Sequence, residues 1–439
     1  MTKRIFVLAL DGTPYSLLKK LSALNIMPNL TGMIKKGFLK QMDSVYPPVS
    51  SVAWASFMTG LPPAGHGILG FVERDPKTMD WYTPLADRLK GRTLWEKLSD
   101  KGKRVFVMNV PMTYPPRMIN GISVCGFLGN DILKGTYPEE MGYLLKSMGY
   151  RIDANTELAK SDLFLFYKDV MDVLHKRIDV MNYFWRRESW DFFMVHIMET
   201  DRLQHFFWEF FETKKQPFYD MFIQFYRYID KIIGDILSGI PDNMGFLALS
   251  DHGFTTLKKE VYINHWLEQM GYLRYNKTNP QNLKDMDGSS LAYSLYPGRI
   301  YINLRGRERW GRVASEIEYE IIRNEISQKL YTLKDPDSGE SIIKKVFKGE
   351  EVFENVPTAS FENRSFDDLK NRFFPDLLAV AGEGYDLKGN LIPGALFKKK
   401  HFNGTHTYDD AFIAGQNISI PSERFSIDRI SKIILEYVE

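Results

Sequence analysis

Short apolar runs that stop on a polar or charged residue recur along the chain, and stretches with helical spacing lie between them. Residues 4–10 (RIFVLAL) stop at Asp11-Gly12, and a helical pattern then runs over 13–21. The same rhythm appears at 104–110 (RVFVMNV), 191–198 (DFFMVHIM) and 245–249 (GFLAL). Nearly unbroken apolar runs of this length predict strands buried on both faces, as in a parallel sheet. Helices are predicted over 93–101, 163–185, 219–238 and 426–437. Strands alternating with helices predict an α/β fold, a mostly parallel central sheet with helices on both faces. Such sheets place ligand sites at the carboxyl ends of their strands. Asp11, Asp201 and Asp251 all fall at or just past such an end.

From about residue 259 the texture changes to turns and short strands of mixed charge, as in 299–304 (RIYINL) and 334–340 (KDPDSGE). This predicts a catalytic core segment over 1–258, an inserted smaller α+β cap over 259–395 that together with the region around 120–148 sets the substrate's organic part, and a closing core segment over 396–439. No internal repeat or low-complexity stretch interrupts the pattern.

Composition enters mainly by exclusion. With 439 residues, the chain is long enough for more than one lobe. Lys plus Arg number 57 and Asp plus Glu 55, a net of +2, so no global field recruits a nucleic-acid polymer or an anionic membrane. No apolar run approaches the roughly 18 residues a membrane span needs, and the N-terminal run is too short for a secretory leader. A cytoplasmic protein acting on a small molecule is the expectation. The single Cys125 excludes an intrachain disulfide. No pattern specifies an oligomeric state.

Against this background a set of ligand-type side chains stands out. Asp201 and His205 are four apart, on one face of a helical turn. Asp251 and His252 are adjacent after a buried strand, His406 lies far downstream, and Asp11 ends the first run. Carboxylate and imidazole ligands of this kind hold paired divalent metals about 4 Å apart, the arrangement that stabilises both oxygens of an in-line phosphoryl displacement. Each residue also has a plainer reading: Asp201 as an acidic helix cap, Asp251-His252 as a turn, His406 as an incidental loop histidine. Residues 46–60 (YPPVSSVAWASFMTG) set Ser50 and Ser51 between a Pro-Pro turn and a helix-like run. A hydroxyl there is placed as a nucleophile beside the positive helix end, or serves simply as the N-cap.

The ordered motifs extend over nearly the whole chain: Leu-Asp-Gly (10–12), Pro-Asn-Leu (28–30), the Pro-Pro-Val-Ser to Thr-Gly segment (47–60), and His66-Gly-Ile. They continue with Asp201-x-x-x-His205, Ser-Asp-His-Gly (250–253) and Gly-Thr-His (404–406). In this the chain resembles the alkaline phosphatase superfamily, specifically its type I phosphodiesterase/nucleotide pyrophosphatase branch. The resemblance implies that Asp11, Ser50, Asp251 and His252 surround one metal and that Asp201, His205 and His406 hold the other. Zn²⁺ is the expected ion, with Mn²⁺ the alternative. It further implies cleavage of a phosphodiester or pyrophosphate bond in a small phosphate ester, through a phosphoseryl intermediate on Ser50. A phosphomonoesterase or phosphomutase of the same superfamily is the rival activity, and a degenerate metal-binding scaffold is the non-enzymatic reading.

The family nucleophile is usually Thr, and Ser50 departs from that while keeping the chemistry. Ala53-Trp54 stand where many nucleotide pyrophosphatases carry Asn-His, so no oxyanion-binding side chain carries over. Asn109, at the end of a predicted strand, is a candidate substitute, with a structural Asn as the alternative. His401 is a candidate support for His406 or an exposed loop residue. His66 matches an architectural position, and Lys398 to Lys400 reads as a solvated basic run.

Overall fold

The computed structural model describes residues 3–353, 368–369, 372–391 and 394–439, so residues 354–367, 370–371 and 392–393 of the expected cap lie outside the described residues. The chain forms two compact units. The first comprises Met1–Ile68, Leu85–Thr256 and His401–Glu439, the second Leu69–Pro84 and Leu257–Lys400.

The first unit is built on an eight-stranded sheet. Its strands are β1 (Ile5–Leu10), β2 (Phe38–Met42), β3 (Val105–Val110), β4 (Gly121–Cys125), β5 (Thr136–Tyr137), β6 (Phe192–Ile197) and β7 (Gly245–Leu249). A separate two-stranded ribbon pairs β8 (Gly253–Thr256) with β9 (Gly404–Thr407), and β10 (Ala411–Gln416) completes the sheet. The order across the sheet is β2-β10-β7-β1-β6-β3-β4-β5. The strands from β7 to β4 run parallel; β10 pairs antiparallel with β7, β2 pairs antiparallel with β10 and so regains the direction of the core, and β5 pairs antiparallel with β4. Every residue of β1, β3, β6 and β7 is buried, as a sheet covered by helices on both faces requires.

Five helices of this unit enter the argument: α1 (Tyr15–Ala23), α2 (Ser50–Thr59), α3 (Leu163–Trp185), α4 (Glu199–Thr213) and α5 (Phe218–Gly239). The apolar stripe of α5 repeats at helical spacing through Phe222, Phe225, Ile229, Ile232, Ile233 and Ile236, all buried. Aromatic rings bind strands and helices together. Phe106 stacks on Phe193 at 4.3 Å, and Phe6 lies 5.1 Å from the same ring. Full burial of side chains of this size contributes roughly 1.5–3 kcal/mol each. β1, β6 and β7 end at one edge of the sheet, which is where Asp11, Asp201 and Asp251 follow.

The second unit holds a four-stranded antiparallel sheet of Ala292–Leu295, Arg299–Ile302, Leu377–Ala381 and Ile343–Lys348, with the helix Glu316–Leu330. The stretch Leu69–Pro84 joins it through buried ion pairs, Arg74 to Glu308 at 3.0 Å and Glu73 to Arg299 at 2.7 Å. Charged partners leave no apolar period, so the sequence pattern assigns this stretch to the 1–258 segment. Among the described residues no helix is long and apolar enough to cross a membrane.

Candidate active site

Three aspartates arrive from the strand ends, and each has one oxygen committed to the protein. Asp11, just after β1, accepts two hydrogen bonds at Oδ2, from Trp54 Nε1 and His196 Nε2, each at 2.8 Å. Its Oδ1 receives the Ser50 hydroxyl at 3.1 Å. Asp251, after β7, accepts the Gly12 backbone N–H at Oδ1 (3.0 Å), and its Oδ2 is buried without a hydrogen-bond partner. Gly12 has φ +64, a left-handed conformation, and a Cβ there would stand 3.0 Å from His252 Cε1. Asp201, in the first turn of α4, has Oδ2 held by Arg202 Nη1 at 3.1 Å, while Oδ1 is buried and receives no hydrogen bond. Met198 occupies the N-cap of α4, so Asp201 does not act as the cap.

Three histidines face these free oxygens, and each has Nδ1 committed to a backbone carbonyl. His205 Nδ1 donates to Gly404 (3.1 Å), His252 Nδ1 to Gly253 (3.0 Å) and His406 Nδ1 to Pro48 (3.2 Å). In the neutral ring a proton on Nδ1 leaves Nε2 as a lone pair, the tautomer of a metal ligand oriented from behind. His205 and His406 each bring Nε2 to 3.3 Å from Asp201 Oδ1. His252 Nε2 lies 3.4 Å from Asp251 Oδ2 and 3.6 Å from Asp11 Oδ1. Phe254 and Phe402 flank the His205 ring at 4.9 and 4.6 Å, and His252 stacks on His406 at 3.8 Å.

Two trios can each offer ligand atoms lying within 4.8 Å of one another: Asp11, Asp251 and His252, and Asp201, His252 and His406. The orphaned Oδ atoms of Asp201 and Asp251 and the converging imidazole lone pairs fit divalent cations, and the mixed oxygen and nitrogen set suits a borderline ion. His252 belongs to both trios, and His205 stands beside the second through Asp201.

Electrostatics follow the same partition. Burial raises the Asp11 carboxyl, but the hydrogen bond and charge of His196 outweigh it and hold Asp11 below the ordinary range. Burial opposes ionisation of Asp201 as well, yet the positive charge that His205 and His406 carry when protonated holds it well below. Asp251 lacks such compensation, and burial plus the Asp11 charge push it well above. Burial, then repulsion from His406, lowers His252 to about 3.

Ser50 is the first residue of α2 and is buried. Val49 is the N-cap, and no side chain caps the helix, so the Ser50 hydroxyl is free of the capping role. Its Oγ lies 3.3 Å from His252 Nε2 in addition to its bond with Asp11. The neighbouring Ser51 Oγ is buried without a partner.

Asn109 sits at φ +67 in β3. Its Nδ2 donates to the His196 carbonyl at 3.4 Å and its Oδ1 accepts from Tyr150 at 3.2 Å, so its side chain ties strands together behind the site. His401 is exposed at the start of the last segment. His66 is fully buried, its Nδ1 accepting from Ile68 N at 3.2 Å and its Nε2 2.9 Å from Ser56 Oγ.

Sequence patterning passes over His196, Trp54 and Arg202. His196 had a usable signal, since a lone imidazole inside an apolar strand needs a buried partner. Trp54 and Arg202 had none: an indole in an apolar helix and an arginine beside an aspartate are ordinary.

A sequence model described as type I phosphodiesterase / nucleotide pyrophosphatase matches residues 5–409. No curated protein sequence matches the chain. Among solved structures, the chain is similar to phosphonoacetate hydrolase from Sinorhizobium meliloti 1021 in complex with phosphonoformate. The TM-score is 0.67 at 15% identity, covering 100% of this chain and 96% of the other. Murine ectonucleotide pyrophosphatase / phosphodiesterase 5, inactive and in complex with AMP, gives a TM-score of 0.58 at 13% identity over 99% and 95% of the two chains. At these identities the structural likeness speaks for the fold, an alkaline phosphatase-like α/β architecture.

Proposed function

The chain belongs to the type I phosphodiesterase/nucleotide pyrophosphatase family, and from that premise we propose that it hydrolyses a phosphodiester or pyrophosphate bond of a small molecule by attack of Ser50 on phosphorus. The observation that carries this reading is the Ser50 hydroxyl. It is buried at the first position of α2, released from capping, and set 3.1 Å from Asp11 Oδ1 and 3.3 Å from His252 Nε2.

Two divalent cations, Zn²⁺ or Mn²⁺, would be held by Asp11, Ser50, Asp251 and His252 and by Asp201, His205 and His406, and would supply charge neutralisation at the phosphate oxygens and a lowered pKa for the hydroxyl. The remaining work falls to the chain. Asp11 fixes the Ser50 rotamer, and the amide N–H groups at the start of α2 face the incoming anion. Ser50 loses its proton as its Oγ bonds to phosphorus, and the bond to the leaving oxygen breaks, releasing an alcohol or phosphate. Water then attacks the phosphoseryl group. Its oxygen bonds to phosphorus, the serine P–O bond breaks, and Ser50 regains a proton. The burial of Ser50, Asp11, Asp251 and His252 restricts competing water during the first step.

The test is turnover of bis(p-nitrophenyl) phosphate, p-nitrophenyl phosphate and phosphonoacetate by metal-loaded protein. Faster release from the diester supports the reading. Release from the monoester alone indicates a phosphomonoesterase, and isomerisation of a phosphosugar without phosphate release a mutase. Bound metal with no turnover of any of these indicates the scaffold.

A further inference from the structure

Asp11 is gripped from behind by two ring N–H groups on one oxygen, and one of them belongs to the helix that carries the nucleophile. Trp54 follows Ser50 by four residues in α2, so both project from the same face one turn apart. Its indole Nε1 donates to Asp11 Oδ2 at 2.8 Å. His196, opposite Ala9 in the β1–β6 register, reaches the same oxygen at 2.8 Å. The two rings meet edge to face at 4.9 Å and 89°, and both are fully buried. Three elements therefore converge on a single atom.

We infer that Trp54 is a positioning residue for the reaction, acting through Asp11 with His196 as its counterpart; this rests on the hydrolase reading above. Two N–H donors saturate Oδ2, so Asp11 offers a cation only Oδ1. That is the oxygen hydrogen-bonded to Ser50 Oγ. The indole thereby turns a potentially two-toothed carboxylate into a one-toothed ligand and aims its free oxygen at the nucleophile. Because Trp54 and Ser50 share a helix turn, any shift of α2 moves the clamp and the hydroxyl together. Without the indole N–H, Oδ2 keeps only the His196 donor, and its vacated lone pair can turn toward the cation and draw Oδ1 away from Ser50.

The experiment compares wild type, Trp54→Phe and Trp190→Phe as full chains. Trp190 is also buried, and its indole donates to the Phe184 carbonyl in the core, so it controls for loss of an indole N–H as such. Zn²⁺ binding is measured by competition with a chromogenic chelator, alongside kcat and KM. Trp54→Phe is expected to weaken one of the two Zn²⁺ sites by about 10–100-fold, as loss of outer support for a ligand typically does. It should lower kcat with KM nearly unchanged, while Trp190→Phe leaves both constants as in wild type. Two Zn²⁺ bound by Trp54→Phe with wild-type affinities and wild-type kcat would overturn the inference. Wild type that binds no Zn²⁺ and turns over nothing would instead bring down the hydrolase reading. Should Trp54→Phe fail to fold, His196→Phe, which removes the other donor, and His196→Gln, which keeps one, replace it. The inference predicts weakened Zn²⁺ binding in the first and recovery in the second, and equal behaviour of the two would reject it.

Discussion

His205 Nε2 and His406 Nε2 face one another at 3.1 Å across a sequence separation of 201 residues. Each ring has Nδ1 bonded to a carbonyl, so in the neutral state neither Nε2 has a proton to give. Two lone pairs at this separation repel, and Asp201 Oδ1 at 3.3 Å from both adds a negative charge. A shared cation converts the arrangement from repulsive to attractive.

Metal addition should therefore stabilise metal-stripped protein, by about 2.7 kcal/mol when free cation exceeds its dissociation constant 100-fold. The gain should grow with pH. Asp251 holds its proton well above the ordinary carboxylate range, so its contribution to metal-free stability is present at low pH and lost as pH rises through that raised value. A cation must displace the same proton, which becomes easier over the same window. Calorimetric melting with Zn²⁺ and with chelator at pH 6 and pH 8 measures this, and identical melting temperatures would contradict it.

Ser50→Ala should lower kcat by about 10³-fold or more, the scale expected when a covalent nucleophile is removed. Ser51→Ala, whose hydroxyl has no partner, should stay within a few-fold of wild type. Ser50→Thr should retain turnover, because the branched hydroxyl supports the same attack. Steady-state rates on a nitrophenyl diester, with metal content measured in parallel, distinguish the three. Near-normal activity in Ser50→Ala would remove it from the nucleophile role.

The buried Arg177–Glu199 pair, at 2.6 Å, anchors the first turn of α4 two residues before Asp201. Arg177→Leu leaves a carboxylate buried without its partner and should cost about 3–5 kcal/mol. Arg177→Leu combined with Glu199→Leu should recover much of that loss. Urea unfolding of both variants provides the measurement, and a single-variant cost under about 1 kcal/mol would rule out a structural role for the pair.

His66 predicts an acid-sensitive stability. Burial lowers its folded-state value to about 3, whereas the unfolded chain titrates near 6.5. The unfolded state thus binds the extra proton first. The stabilising effect is complete above about 6.5 and is lost as pH falls toward 3, at up to about 1.4 kcal/mol per unit. His66→Asn keeps an acceptor for Ile68 N and removes the titration. Its stability should fall less steeply than wild type between pH 6.5 and 4.5, and parallel curves would refute the assignment.

Much of this architecture is legible in the chain because buried parallel strands must be continuously apolar. Residues 4–10, 104–110, 191–198 and 245–249 each overlap a strand of the central sheet almost residue for residue. The aspartates follow from the same logic, since a charge immediately after such a run stands at the strand's end. The supports behind them are less legible. Trp54 bonds to Asp11 from another element, and Arg202 holds its neighbour Asp201 while anchored on the distant Asp153 at 2.7 Å; neither periodicity nor composition records such bonds. The antiparallel insertion of β10 between β7 and β2 is likewise a matter of pairing, which an apolar run does not specify.

The ribbon of β8 and β9 sets Phe254 opposite His406 and Gly253 opposite Thr407, immediately after Asp251 and His252. A slip of one residue in that pairing would turn His406 to the other side of the ribbon. Only the correct register brings it to Asp201 and His205. A bound cation would thus proofread the pairing of two strands made far apart along the chain, rewarding the one alignment in which the reaction is possible.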